Sequence, residues 1–413
     1  MQKIKKVELK NFRSFSELNI SELGDVNIIV GKNNTGKSSF LEGIYLALCT
    51  KVHIINEEVS SVFSPLNFLF LRRRANFVRT FQSFYEVEEY KSFLKKFFQY
   101  EKTKRTTIFL QPLNIRIEIS ENEKSLEEVK DKGIILQIKR YLELFLLRKI
   151  YLKNKFSRKK TLKELYNKFK QVWWLQIKNL GGFYILYCPE ELVGYLEDIK
   201  IEEIGFSFLN QKNIKKRNKK DFLFFSDAFL FCPSPPPLIH LGRGNIYQRI
   251  LKIFEKYLEK NSYSLLTEKI SFFWNQKVVI EPSFTDFYIS VEEEKIPLSL
   301  TGDGLKSFVV NFLALYIEKP SYLFFEEPEN FMHPKMMEIF AEEIVKRGRK
   351  HQIFISTHSL EFVKYIIYFA ENYPTVDIKI LGFHELKEGI LNYSIYSKEK
   401  AEILLFELQE DLR

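Results

Sequence analysis

A single eight-residue stretch narrows the choice of folds for this sequence, because Gly31-Lys-Asn-Asn-Thr-Gly-Lys-Ser38 matches the pattern GxxxxGK followed by Ser or Thr at every fixed position. The apolar run at residues 26–30 reads as a buried strand before it, and apolar side chains recur at helical spacing over residues 37–49 after it. Strand, glycine-rich loop and helix in this order are the context that such a pattern requires. The sequence therefore predicts a phosphate-binding loop, the P-loop (residues 31–38); the alternative is a glycine-rich turn that binds nothing.

The residue types of the P-loop carry the chemistry that we predict for it. Glycines let the backbone curl so that successive N–H groups face phosphate oxygens, and the helix N-terminus adds its dipole. Lys37 would reach the terminal phosphates of ATP, and Ser38 would be a ligand of Mg²⁺. The predicted nucleotide-contacting residues of this segment are Gly31, Lys32, Asn33, Asn34, Thr35, Gly36, Lys37, Ser38 and Ser39.

A second signal is the stretch Tyr322-Leu-Phe-Phe-Glu326-Glu327-Pro-Glu. Its apolar run is too short for a helix and fits a central strand that delivers two acids at its carboxyl end, the edge where such sheets bind ligands. Glu326 would hold Mg²⁺, directly or through water, and Glu327 would polarise the water that attacks the γ-phosphate. The alternative is an ordinary acidic junction between a strand and a loop.

A third signal is the short buried strand at residues 352–357, which ends in hydroxyls and is followed by His358. We predict that His358 lies at the same sheet edge and senses the γ-phosphate. A lone histidine is more often structural, and we give that interpretation to His53, His240, His351 and His384.

A fourth signal, Leu300-Thr-Gly-Asp-Gly304, precedes an apolar helical stretch, so its amides would face an anion or simply cap the helix.

The order of these signals resembles the ABC-type ATPase heads, including those related to SMC proteins. Four phrases are similar to the overcoming-lysogenization-defect (OLD) family: Lys10-Asn-Phe-Arg-Ser-Phe, the P-loop, Glu-Glu-Pro-Glu329-Asn-Phe-Met-His-Pro and Ser-Thr-His358-Ser. The closing Glu410-Asp-Leu-Arg fits the same group. The resemblance covers residues 1–50 and 240–413. OLD nucleases also carry a Toprim domain with a DxD cluster, which the residues after His358 lack, so we expect any nuclease to be a separate partner.

The resemblance implies roles for individual residues. Ser38 and Glu326 would form the magnesium site, Glu327 would be the catalytic base and His358 the switch histidine. Thr301 and Gly302 would lie in the signature loop, which in such heads touches the γ-phosphate held by a second subunit. A homodimer closing around two ATP molecules follows from this.

Three details stay open at this point. The signature is imperfect and its register could slip toward Gly304. Gln111 is only a guess for the glutamine of the Q-loop. Arg13 would lie near the nucleotide phosphates, with a surface arginine at a strand end as the alternative.

We therefore expect an α/β fold, a P-loop NTPase of ABC-ATPase type with a largely helical insertion between the P-loop and the signature loop. The expected parts are residues 1–50 and 241–413 for the ATPase head and residues 51–240 for the insertion. Within the insertion, residues 162–173 have the apolar spacing of an amphipathic helix. A proline-rich stretch at residues 233–237 would run extended as its final connector.

Charge suggests a partner for the insertion. The net charge is +10, and basic residues concentrate at residues 140–178 and 212–220. Such surfaces attract phosphate backbones without reading their sequence, so DNA or RNA contact and a solvated lysine-rich helical hairpin are both open.

Other features narrow the setting. No apolar run reaches the length of a membrane helix, no signal-peptide pattern precedes the first strand, and the three cysteines have no zinc-site spacing. We expect a cytoplasmic protein with ATP and Mg²⁺ as its cofactors.

The sequence supports two main hypotheses about function. The first is an ATP-switched homodimer that acts on nucleic acid in DNA repair or in defence against mobile elements. The second is a nucleotide-gated scaffold that regulates a separate effector protein and hydrolyses ATP slowly. A transporter subunit is a third hypothesis, which the large basic insertion and the imperfect signature disfavour.

Overall fold

The computed structural model describes residues 2–51, 105–112, 115–122, 173–178, 182–187, 229–232, 254, 258–282, 287–292, 294–318 and 322–413. The strands are β1 (Lys6–Phe12), β2 (Phe15–Ile20), β3 (Val26–Gly31), β4 (Arg105–Gln111), β5 (Ile115–Asn122), β6 (Trp173–Lys178), β7 (Gly182–Tyr187), β8 (Phe229–Cys232), β9 (Val278–Pro282), β10 (Phe287–Val291), β11 (Glu294–Pro297), β12 (Tyr322–Glu326), β13 (Gln352–Thr357), β14 (Ile378–Lys387) and β15 (Ile390–Ser397). The α-helices are α1 (Lys37–Lys51), α2 (Ser262–Trp274), α3 (Asp303–Leu315), α4 (Pro334–Arg347), α5 (Leu360–Ala370) and α6 (Lys398–Glu402). A 3₁₀ turn (Leu298–Leu300) precedes α3, and a π-helical turn (Ile403–Glu407) follows α6.

Twelve strands form one mixed sheet in the order β7-β6-β5-β4-β1-β2-β15-β14-β3-β13-β12-β8. The run from β14 to β8 is parallel. Every residue of β3, β12 and β13 is buried, because a parallel strand covered on both faces needs apolar side chains on both. The three central strands predicted from the sequence are therefore confirmed, and their carboxyl ends meet at one edge of the sheet.

The other half of the sheet is built from antiparallel pairs. Strand β15 returns along β14, and β1–β2, β4–β5 and β6–β7 form further pairs. In β2, the apolar residues Leu18 and Ile20 are buried and alternate with the exposed Glu17 and Asn19, the pattern of a strand with one face on the core. This half closes over the beginning of α1, since Phe15 also reaches the P-loop.

Helices cover both faces of the parallel strands. On one face, Tyr45 of α1 packs edge-on against Phe324 of β12, with ring centroids 6.0 Å apart. The neighbouring Phe325 points to the opposite face, where it meets Phe340 of α4 at 5.5 Å, and Phe340 also stacks on Phe362 of α5. The alternation of successive strand side chains thus fixes the P-loop helix on one side of the sheet and α4 and α5 on the other.

A cluster of charged side chains links Glu259, which precedes α2, to the end of α4. The carboxylate of Glu259 accepts two hydrogen bonds from Arg347, both at 2.9 Å, and one from Lys350 at 2.6 Å. The Arg347 guanidinium also lies 3.8 Å from the centre of the Tyr316 ring, which follows α3. This cluster lies beside the amino end of β13, on the sheet edge opposite the P-loop.

The sequence predicted a mainly helical insertion at residues 51–240, but the elements that the structure describes between residues 105 and 232 are strands. Strands β4 to β8 all come from residues 105–232; β4 pairs with β1 and β8 pairs with β12, so they extend the sheet at both sides. Trp173 begins β6 and does not continue the predicted helix at residues 162–173. The rest of that predicted helix, the basic stretch 212–220 and the proline-rich connector lie outside the described residues.

Within the described ranges, none of the helices combines the length and the apolar character needed to cross a membrane.

Candidate nucleotide-binding site

The P-loop joins the carboxyl end of β3 to the first turn of α1, as the sequence predicted. Gly36 has φ +93°, a conformation that side-chain-bearing residues rarely adopt, and a Cβ there would lie 2.5 Å from Cζ of the buried Phe15. A Cβ on Gly31 would lie 2.3 Å from the carbonyl oxygen of Phe383 on β14. The two fixed glycines of the pattern are thus required by backbone conformation and by close packing against β2 and β14.

Hydrogen bonds stabilise the inner side of the P-loop, and its outer side is exposed to solvent. The Thr35 hydroxyl donates to the Lys32 carbonyl at 2.9 Å, and Ser14 Oγ donates to Ser39 Oγ at 3.0 Å. The side chains of Lys32, Asn33 and Asn34 are exposed. Contacts within the chain therefore support the curl of the loop, and its outer surface is exposed.

Lys37 is buried, and its ammonium donates to the carbonyl oxygens of Gly31 at 2.7 Å and Lys32 at 2.9 Å. Burial lowers the pKa of the Lys37 amine to about 8, even though the carboxylates at positions 326, 327 and 329 act in the opposite direction. The structure thus brings a desolvated cation and three acids together at one sheet edge.

The sequence predicted that Arg13 lies near the nucleotide phosphates, but the structure shows its guanidinium in contact with a carboxylate of the chain itself. Its guanidinium forms an ion pair with Glu42, a fully buried carboxylate on α1 one turn beyond Ser38. A buried carboxylate needs such a partner, so Arg13 supports the helix that follows the loop.

The two acids predicted at the end of β12 differ in their surroundings. Glu326 is the last residue of the strand, is buried, and pairs in register with Ser356 of β13. Glu327 has φ +46°, and its N–H donates to the Ser356 carbonyl at 2.7 Å. A non-glycine residue in this left-handed region is uncommon, and here the turn carries the Glu327 side chain away from the strand toward His358.

His358 and Glu327 are in contact, with 3.3 Å between Nε2 and Oε1. The other carboxylate oxygen of Glu327 accepts a hydrogen bond from Asn330 at 2.8 Å. Burial, assisted by the charge of Lys37, lowers the pKa of His358, and Glu327 opposes this shift. Glu326, Glu327 and His358 therefore lie at one edge of the sheet, as the sequence predicted.

Glu329 belongs to one of the sequence motifs but has no predicted role. The structure buries this carboxyl, whose Oε1 accepts from the Thr357 hydroxyl and from the His358 N–H, the latter at 3.2 Å. Burial raises the pKa of Glu329. The position of Glu329, three residues after Glu326, is a weak sequence signal for a role in the site. Its contacts with Thr357 and His358 become evident only in the folded turn.

The predicted signature loop lies at the start of α3. Gly302 is the N-cap, with an extended backbone at φ −65°, and a Cβ built there would meet no atom of the described residues within 4 Å. At Gly304, by contrast, a Cβ would lie 2.1 Å from the Phe331 carbonyl oxygen. In the described part of the chain, Thr301 and Gly302 make no hydrogen bond to the P-loop. Gly302 faces open space, and Gly304 is used for packing inside its own chain.

The guess that Gln111 belongs to the site is wrong. Its carbonyl accepts from the Lys5 N–H at 2.7 Å, and the adjacent Ile4 N–H donates to the Gln352 side chain at the start of β13, also at 2.7 Å. Gln111 therefore lies at the amino ends of the parallel strands, across the sheet from the P-loop.

Comparison with known proteins identifies the domain type. Residues 2–363 match the family described as AAA ATPase domain. The chain is 24% identical over 387 residues to an ATP/GTP phosphatase of Helicobacter pylori, covering 87% of this chain and 86% of that protein. It is 40% identical over 50 residues to the DNA replication and repair protein RecF of Bacillus cytotoxicus, covering 12% of this chain and 13% of RecF. The solved structure of an Smc head bound to the C-winged helix domain of ScpA has 14% identity and a TM-score of 0.44, covering 97% of this chain and 99% of that chain.

Proposed function

Since the chain belongs to the family of the AAA ATPase domain, we propose that it binds ATP at the P-loop and hydrolyses the terminal phosphate. One observation carries the proposal: the buried Lys37 and Glu326 and the half-buried Glu327 and His358 converge at the edge of the sheet from which the P-loop rises. The likeness to the Helicobacter pylori ATP/GTP phosphatase, which extends over most of both chains, supports the same activity.

In the proposed reaction, Lys37 binds the terminal phosphates. Its ammonium is already held at the mouth of the loop by two backbone carbonyls, so little reorganisation precedes its contact with phosphate. An amine with a pKa of about 8 remains mainly protonated at neutral pH. The cation is therefore available to offset the charge that develops on the phosphoryl group.

Glu327 acts as the general base for the attacking water. Asn330 fixes one of its carboxylate oxygens and His358 the other, which orients the carboxylate for proton removal. A neutral His358, favoured by its lowered pKa, has a single ring N–H. If that N–H turns from Glu327 to the γ-phosphate when ATP is bound, His358 would report whether the phosphate is present.

The residues also fit a magnesium ion next to the phosphates. Ser38 and Glu326 would hold it, and the buried Ser356 Oγ beside Glu326 lacks a hydrogen-bond partner within the described residues, as expected where a hydrated cation sits. No group of three or more His, Cys, Asp or Glu side chains in the described ranges could bind a metal, and Mg²⁺ at phosphates characteristically uses few protein ligands. When bound, the ion would neutralise charge on the phosphate oxygens.

We propose that a second copy of the chain completes the site with Thr301 and Gly302. Gly302 is open, and two large apolar side chains near it, Leu300 and Phe331, are 77% and 66% exposed. An exposed apolar rim around an open helix N-terminus suits an interface that presents amides to a phosphate. The intrachain packing of Gly304 supports Gly302 as the residue that faces the partner's ATP.

We propose nucleic acid as the partner of the closed dimer, in repair or in defence against mobile elements. The basic stretches within residues 140–178 and 212–220 and the net charge of +10 support this, as does the short similarity to RecF. The four motif phrases quoted above further support a place near the OLD family.

The test is steady-state ATP hydrolysis with and without double-stranded DNA, at two salt concentrations. We expect turnover that DNA stimulates at low salt. Neutralising the lysines and arginine of residues 212–220 should remove stimulation and leave basal turnover intact. Absence of hydrolysis under all conditions would reject the ATPase, whereas hydrolysis indifferent to DNA would reject only the nucleic-acid partner.

A further inference from the structure

The last described residues pack against β14, the strand next to β3 in the sheet. Leu412 is 1% exposed, and its carbonyl oxygen lies 2.7 Å from the position of a Cβ on Gly382. Gly382 pairs in register with Val30, the residue before Gly31. The segment at residues 409–413, which we call the C-terminal strap, is therefore pressed onto β14 at the level where the P-loop begins.

The strap places a guanidinium next to His358. Arg413 Nη1 donates to the His358 carbonyl oxygen at 3.3 Å. The Asp411 carboxylate holds the same guanidinium from behind, at 2.8 Å from Nε and 2.6 Å from Nη2. Because two N–H groups of a planar fork are engaged by one carboxylate, the direction in which Nη1 points is fixed.

Both backbone polar groups of His358 are thus held by side chains from other parts of the chain. Its N–H donates to Glu329, and its C=O accepts from Arg413. These contacts come from residues before and after His358 in the sequence, and they fix the His358 backbone from which the imidazole reaches Glu327. The Arg413 charge also reaches the ring.

Several charged groups face the His358 imidazole. Lys37 lies on the side of α1, Glu327 on the side of the β12 turn, and Arg413 on the strap, where Asp411 partly offsets its charge. Arg413 lowers the pKa of His358 together with burial and Lys37. Removal of the guanidinium should consequently raise that pKa.

We propose that Arg413, preset by Asp411, is a positioning residue for His358 in ATP hydrolysis. The proposal rests on the proposed ATPase function and assigns the strap to the nucleotide site of its own chain. Arg413 acts through the His358 peptide and its electrostatic environment.

The test compares Arg413→Gln with a control that removes one positive charge at the far end of β14, Lys387→Gln, whose side chain is 77% exposed. We expect Arg413→Gln to lower kcat by about tenfold, the usual scale for a group that orients a functional residue. The KM for ATP should change less than twofold, since no phosphate contact is removed. Asp411→Asn should lower kcat in the same direction, because the guanidinium loses its fixed orientation.

A second readout separates positioning from general damage and does not require turnover. In protein with ¹³C-labelled histidine, the His358 resonance, assigned through His358→Gln, should titrate at higher pH in Arg413→Gln and as in the wild type in Lys387→Gln. The proposal is overturned if kcat and the His358 titration match the control. If the wild type fails to hydrolyse ATP, the proposed function fails, and the titration alone still decides whether Arg413 controls His358.

Discussion

Replacement of Gly302 by alanine should leave the folding of the single chain nearly unchanged and should impair the proposed interface between two chains. A Cβ at this position meets no atom of the described residues within 4 Å, and its φ of −65° is ordinary for alanine. The change expected within the described part of the chain is a poorer N-cap for α3, which costs about 1 kcal/mol. Urea unfolding and ATP binding by Gly302→Ala monomers should therefore stay close to those of the wild type.

Turnover should respond very differently. In the proposed dimer the Gly302 amide faces the γ-phosphate bound by the partner, and the added methyl group occupies the space of that phosphate. Alanine keeps its backbone N–H, but the displaced phosphate no longer reaches it. Loss of one such hydrogen bond to a developing anion lowers kcat by about 100-fold or more, equivalent to about 2.7 kcal/mol. The assay is kcat at saturating ATP, with molar mass by light scattering in ATP.

Gly304→Ala is the matched control two residues away. Its methyl group would collide with the Phe331 carbonyl, 2.1 Å from the Cβ, and such overpacking costs about 1–3 kcal/mol of folding stability. We thus expect one alanine to impair the monomer and the other only the dimer. Gly302→Ala with wild-type turnover and wild-type assembly would refute the interface, and an unfolded Gly302→Ala would refute the reasoning about open space.

Two other sites yield predictions of a different kind. Lys37→Ala should weaken ATP binding by about 100-fold in calorimetry without lowering the free energy of unfolding, because a desolvated ammonium is removed; unchanged affinity would contradict the phosphate assignment. Burial lowers the pKa of fully buried His351 to about 3, below its unfolded value of about 6.5, so the unfolded state binds more protons as pH falls through that window and stability declines. Relative to His351→Gln, the wild type should lose about 2 kcal/mol of unfolding free energy between about pH 6.5 and about pH 5; parallel pH profiles in urea titrations would contradict this.

Local sequence predicted the elements that carry the chemistry. The P-loop, the strand ending in Glu326 and the strand before His358 each consist of a continuous run whose composition alone specifies its structure. Since carboxyl ends of parallel strands share an edge, their meeting could also be anticipated. What remained hidden were contacts between distant parts of the chain.

The features that the sequence did not predict correctly all depend on contacts between distant parts of the chain. Strand β4 has an apolar alternation too short to reveal its partner, and its pairing with β1 joins residues about a hundred positions apart. Gln111 could be placed only once that register was known. Arg413 lies 55 residues beyond His358, and no periodicity indicates that a segment returns to an earlier strand. Glu329 is part of a recognisable motif, but its hydrogen bond with Thr357 depends on the turn at Glu327.

We propose that ATP is hydrolysed at the P-loop by Glu327 within a closed pair of subunits. This mechanism is best tested by the molar mass, bound nucleotide and turnover of Glu327→Gln after incubation with ATP and Mg²⁺. We expect a dimer that retains unhydrolysed ATP and a kcat reduced by at least about 100-fold, the lower range for loss of a general base. A variant that stays monomeric with ATP and hydrolyses it at the wild-type rate would refute this mechanism.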